Sequence, residues 1–235
     1  MGVGMAQHWS DRFVEMAGQV PAHLGTRYDA AGRFLPEHGN TVVAQVVPGS
    51  ETEAALVDLR AAMQALPFAH LFAFTAVPSY HMTVFEGIIE TRRKASHWPV
   101  GLDPEQSVEA ATAAMAGRLQ GFTAPPEVAM RVVEVTPFGL HLTGATQRDE
   151  GSARAWRDGL AQALGLRVPT HDEYGFHTTM AYALQWPPVE FVGQYRAVLQ
   201  DLTGAFQARV PVMHLARPAF CTFADMNAFP PVLAL

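Results

Sequence analysis

The feature that most constrains this chain is a short pattern that occurs twice. His177-Thr178-Thr179-Met180 sits inside the run YGFHTTMAY, and His81-Met82-Thr83-Val84 sits ninety-six residues earlier inside SYHMTVFEG. Both runs read as strands, on which side chains alternate between faces. His81 and Thr83 therefore share one face while Met82 and Val84 turn towards a core, and His177 and Thr179 do the same with Thr178 and Met180 opposite. If the halves pack about a pseudo-twofold axis, two imidazoles and two hydroxyls meet in one cleft. With 10 histidines and 16 threonines in 235 residues, less than one accidental His-x-Thr is expected. A third copy, His141-Leu142-Thr143-Gly144, lacks the apolar fourth residue.

The rest of the chain supplies the scaffold. A short helix is expected from Ser10 to Ala17. TVVAQVV, from Thr41, is a β-branched run that reads as a buried strand. Ser50 and Glu53 form a capping box for a helix with Leu56, Leu59, Met63 and Leu66 on one face, stopped by Pro67. HLFAFTAV reads as a strand, and Asp103-Pro104 as the opening of a helix faced by Val108, Met115 and Leu119 and closed by Gly121. VAMRVVEV and GLHLTG read as two strands, followed by a helix with Trp156, Leu160 and Leu164 that ends at Gly165. FHTTMAYAL is read as one strand, then a helix with Phe191, Tyr195 and Leu202. VPVMHLA and AFCTF are expected to be closing strands. This mixed order, with more hairpins than alternation, favours an α+β fold over a doubly wound sheet.

Composition narrows the function classes. The formal charge is −6 with only 16 lysines and arginines, which disfavours long nucleic acid. A small phosphorylated ligand needs only a few local donors and stays open. The lone Cys221 cannot form an internal disulfide and fits no cysteine-based zinc pattern. No run reaches the ~18 apolar residues of a membrane span. The first residues lack the basic head and apolar run of a secretory leader, so a cytoplasmic location is the default expectation.

An imidazole titrates near neutrality, so one can accept a proton while the other gives one. Hydroxyls can donate to non-bridging phosphate oxygens. Base, acid and two anion donors suit a phosphodiester, and call for neither metal nor cofactor.

The paired His-x-Thr-apolar motifs resemble the signature of the two-histidine (2H) phosphoesterase superfamily. GTRYDAAGRFLPEHGNTVV, together with HMTVFEG, is most similar to a bacterial 2H phosphodiesterase-like branch of unknown function. The resemblance implies one bilobal domain over residues 1–235, with a core at about 40–223 and an N-terminal extension at 1–39. It implies two antiparallel sheets flanking a central cleft, related by a pseudo-twofold axis, with helices outside. His81 and His177 become the acid–base pair, and Thr83 and Thr179 the phosphate-orienting hydroxyls. Many ligase-like relatives carry an arginine five places after the second histidine, where this chain has Tyr182. A phenol brings a donor but no charge.

Arg27, Arg92 and Arg93 are candidates for the missing cation, and each alternatively reads as solvated surface charge. Tyr80, Tyr174 and Trp98 are candidates to stack on a base, against the alternative of core aromatics. Asn40 could reach the cleft or serve a turn, and His141 is a candidate substrate contact. The implied substrate is a small phosphorylated nucleotide or RNA end, such as a 2′,3′-cyclic phosphate. Two rivals stand beside this reading: a binding module without turnover, and a metallohydrolase ligated by His81, His177 and His141. His171-Asp172-Glu173 is a weak candidate metal cluster, since neighbours on a loop chelate poorly. The sequence leaves the oligomeric state open.

Overall fold

The first strand, β1 (Gly39–Gln45), is buried along almost its whole length, as its β-branched run demands. The reason is visible in the computed structural model, which describes residues 9–235 apart from the Arg12 side chain. Val42 and Ala44 enter the main core, while Val43 joins a smaller cluster with Cys221, Phe223, Met226 and Phe229. Residues 1–8, part of the segment read as lacking a leader, lie outside the described residues.

In chain order the elements are α1 (Trp9–Met16), β1, α2 (Glu51–Gln64), β2 (Phe72–Phe74), β3 (His81–Ile89), α3 (Val108–Leu119), β4 (Met130–Thr136), β5 (Gly139–Gly144) and α4 (Gln147–Leu164). They continue with β6 (His177–Thr179), β7 (Ala181–Ala183), α5 (Val192–Arg209), β8 (Ala219–Phe223) and β9 (Pro231–Ala234). The fold is α+β. Three antiparallel sheets form, in the orders β3-β1-β8-β9, β4-β5-β6 and β2-β7. Two sheets were expected, and the difference lies in the second motif. FHTTMAYAL is not one strand: the chain changes sheets at Met180, pairing β6 with β5 and β7 with β2. The Phe138 carbonyl accepts from both Met180 N (2.7 Å) and Ala181 N (3.1 Å), so the switch leaves neither amide unpaired.

Helices α2, α3 and α4 begin where a side chain caps them, whereas α5, preceded by Phe191, starts without one. Ser50 accepts from Glu53 N, but the Glu53 carboxylate accepts from Gly49 N and so closes only half of the expected box. The helix at 108 starts at Ser107, not at Asp103; Asp103 instead accepts from Glu105 N in a local turn. α4 carries a reciprocal box between Thr146 and Asp149 and ends on Gly165 in the left-handed region, φ 63°. VPVMHLA forms no strand; its ladder pairing is limited to an isolated Val46–Leu215 bridge just past the end of β1. Strand β9, which the sequence reading lacks, pairs with β8 as a largely exposed edge.

The N-terminal extension packs on the body of the protein. Phe13 is fully buried in the main core, and the Tyr28 hydroxyl donates to Ala183 O at 2.7 Å. No helix among the described residues is long and apolar enough to cross a membrane.

Candidate active site

Strand β3 carries the first motif as alternation requires: Met82 and Val84 are buried, while His81 and Thr83 are half-buried. A register shift against β1, between the Val42–Phe85 and Val43–Thr83 pairs, then places one extra residue in β3. The shift brings Glu86 onto the cleft face after His81 and Thr83, and a second shift, between the Thr41–Glu86 and Gly39–Ile89 pairs, puts Ile89 there too. Asn40 fixes the strand further on. Its amide donates to Thr112 Oγ1 (2.8 Å) and its carbonyl accepts from Ile88 N (3.1 Å). Gly87 leaves the space that this carboxamide fills.

The two motif histidines are held alike. His81 Nδ1 lies 2.7 Å from Ser79 O, and His177 Nδ1 lies 2.9 Å from Gly175 O. A carbonyl can only accept, so each Nδ1 bears the proton and each neutral ring leaves Nε2 as an acceptor. For His81, the Thr83 hydroxyl donates to Nε2 at 3.2 Å. Strand β3 packs against β6, and both histidines line one cleft of about 480 Å³. Thr75, just before the first motif, donates to Met180 O at 3.2 Å and ties the two motif regions together.

Burial pushes the His81 imidazole down to about 4, against the pull of Ser79 O and with a further push from His177. The Phe229 ring lies edge-on against it, with centroids 4.2 Å apart. Burial also lowers His177; Gly175 O opposes this, His141 adds to it and Glu86 opposes it. Each motif threonine has a phenol beside it, Tyr174 by Thr83 and Tyr182 by Thr179. Each phenol in turn has an arginine on its ring. Arg157 lies 3.8 Å from the Tyr174 centroid and Arg27 lies 5.4 Å from that of Tyr182. Burial raises both phenols, so they stay neutral donors.

The residues singled out in the sequence divide cleanly. His81, Thr83, His177, Thr179, Tyr174, Tyr182, Arg27 and His141 line the cleft. Tyr80 and Arg93 do not. Tyr80 precedes His81, so alternation sends its ring into the core, where it is 2% exposed. The Arg93 guanidinium donates to Pro104 O and Gln106 O and lies over Trp98, itself buried. Tyr174 is no open stacking platform, since Arg157 occupies its face. Arg27 lines the cleft, but its Nε donates to Glu37 at 2.6 Å, so its charge is largely matched.

Three groups escaped the sequence reading: Glu86, Phe229 and Arg157. The extra residue in β3 hid Glu86, and Phe229 arrives from a distant loop. Arg157 is 1% exposed beside Trp156 on α4 and donates to Val84 O and His171 O. A cation within an apolar helical face was the available signal. Among the described residues, the trio with converging ligand atoms is Asp158, His171 and Asp172, not His81, His141 and His177. Arg167 already bridges the two carboxylates of that trio.

An α+β fold that presents two His-x-Thr strands to one cleft defines the architecture of a two-histidine phosphoesterase. The family model 2H-phosphodiest, described as a domain of unknown function (DUF1868), matches residues 27–141, from Arg27 through the first motif to His141. The crystal structure of a conserved protein of unknown function from Agrobacterium tumefaciens is 39% identical, with a TM-score of 0.94 over 97% of this chain and 99% of that one. The chain belongs to this 2H phosphodiesterase-like family of unknown function. No curated protein matches it.

Proposed function

We propose that the protein hydrolyses a cyclic phosphate or another small phosphodiester, of the 2′,3′-cyclic nucleotide or RNA-end type, without a metal ion. The observation that carries this reading is the matched pair of imidazoles, each fixed through Nδ1 on a backbone carbonyl with Nε2 left for chemistry. One Nε2 takes a proton from water as its oxygen forms a bond to phosphorus. The other histidine, protonated, gives its proton to the ribose oxygen as the P–O bond breaks. The product is a phosphomonoester, and the pair has exchanged protonation states. Thr83 and Thr179, each with a phenol beside it, donate to the non-bridging oxygens as charge develops. The cleft volume falls in the usual range of about 300–1,000 Å³ for small-molecule sites.

The experiment is a turnover screen of 2′,3′-cyclic nucleotides and cyclic-phosphate RNA ends, after exhaustive chelation, with the His81→Gln, His177→Gln double variant as the blank. Hydrolysis that survives chelation and vanishes in the blank is expected. Saturable binding with no product would favour a binding module instead, a reading that Tyr182 in place of an arginine keeps in play. Activity that needs added metal would favour the metallohydrolase.

A further inference from the structure

The cleft described above holds two acid–base groups and several neutral donors, with two arginines, Arg27 and Arg92, on its wall. Arg27 is held by Glu37 and lies against Tyr182. Arg92 follows the end of β3; its Nη1 lies 3.7 Å from Glu86, and its Nε and Nη2 are buried without a hydrogen-bond partner among the described residues. A further pair, a carboxylate and an imidazole, stands directly beside a motif histidine. Glu134 on β4 is the register partner of His141 on β5, and His141 is the register partner of His177 on β6. Directly opposed residues project from the same face with Cβ atoms ~4.5–5.5 Å apart. A carboxylate and two imidazoles therefore form one row across three strands, ending at a motif histidine.

The first link of that row is made. His141 Nδ1 and Glu134 Oε1 are 2.7 Å apart, so the carboxylate fixes the Nδ1 proton. His141 also lines the cleft, and no partner is recorded for its Nε2 among the described residues. No hydrogen bond joins the His141 and His177 rings, so the row is a set of charges and not a proton wire.

We propose that His141, backed by Glu134, is the anion-binding group of the cleft, its imidazolium form donating Nε2–H to a non-bridging phosphoryl oxygen. The proposal rests on the phosphodiesterase reading for the identity of the anion, and it assigns the charge that Tyr182 does not bring. An imidazole placed between a carboxylate and a phosphoryl oxygen has an acceptor on each ring nitrogen, so the bound anion and the extra proton stabilise each other. The titratable groups around His141 are Glu134 on β4, His177 on β6 and, on β3 along the same cleft, His81 and Glu86. On its own strand, Thr143 is engaged by Glu150, which also pairs with Arg154 on α4.

The test uses the full chain and sulfate, a non-hydrolysable anion that does not titrate near neutrality. Sulfate affinity and the protonation of His141 Nε2, read by nitrogen-15 NMR, are measured at pH 7.5. In the sulfate complex Nε2 should carry a proton. His141→Gln should bind sulfate about tenfold to a hundredfold more weakly, the scale of one charge-assisted hydrogen bond. His141→Arg, which restores a permanent cation, should return to within about threefold of the parent, and Glu134→Gln should fall between. A folded His141→Gln variant that binds sulfate as tightly as the parent overturns the proposal, as does an unprotonated Nε2 in the complex. The broader reading is judged separately: sulfate bound through His141 with no turnover of any phosphodiester would sink the activity and leave the anion site standing.

Discussion

The guanidinium carbon of Arg157 sits over the ring of Tyr174, 3.8 Å from its centroid, and Tyr174 lies beside the first motif threonine. Arg157 also donates to Val84 O beside the irregularity in β3, so one buried cation supports both the bend of the strand and the phenol at the site. Replacing it with methionine leaves the Val84 and His171 carbonyls without their donor. A loss of about 2–4 kcal/mol is expected in chemical denaturation, together with a drop in kcat. Arg157→Met unfolding at the parent denaturant concentration would show that the stack carries no weight.

His81→Gln and His177→Gln keep a polar side chain of similar reach and remove proton transfer. Each should lower kcat by about 10²–10⁴ in variants whose thermal unfolding stays native-like. Because the two act in one step, the double variant should lose far less than the product of the single losses. Multiplicative losses would mean that the histidines act independently.

Both imidazoles are pushed down by burial from their ordinary value near 6.5. The singly protonated pair of the free protein is therefore most populated below pH 6.5, and kcat/KM should be bell-shaped with its maximum on the acid side of that value. The limbs belong to the pair and not to either residue. A flat profile from pH 5 to 9, with chemistry rate-limiting, contradicts the assignment.

The same shift acts on stability. A histidine held below its unfolded value binds fewer protons in the folded state, so its contribution is complete above pH 6.5 and is lost as pH falls towards about 4. Urea midpoints should decline across that window, and less steeply in His81→Gln. Equal slopes in the two proteins would show that His81 is not held neutral by folding.

Tyr80 and Arg93 lie away from the cleft and should behave as structural residues. Tyr80→Phe should leave turnover within about twofold, and Arg93→Ala should lower the melting temperature with kcat little changed. A tenfold loss in either folded variant would move that residue back into the site.

Much of the fold was legible because period and capping chemistry are local. The β-branched run of β1, the Ser50 cap and Gly165 at the end of α4 needed no partner to be recognised. Alternation along the two motifs likewise places His81, Thr83, His177 and Thr179 on the cleft. What escaped depends on pairing. One extra residue in β3 changes which later side chains face out, and no local signal marks it in VFEG. The division of FHTTMAYAL between two sheets depends on where Phe138 and Phe72 arrive, which is tertiary information. The Asp103 cap failed for the opposite reason, since Asp-Pro opens a turn as readily as a helix and Ser107 lay one turn further on.

The carbonyl of Phe138, which receives both Met180 N and Ala181 N, makes a nine-residue stretch the common property of two sheets. In mechanical terms it is a pivot. Thr179 rides with the hairpin of β4 and β5, whereas Tyr182 rides with β2. Any rocking of one sheet against the other would open or close the gap between the Thr179 hydroxyl and the Tyr182 phenol. The two side chains thus meet across a seam closed by a single carbonyl oxygen at the hairpin tip, so a change at that tip reaches the seam while leaving both histidines untouched.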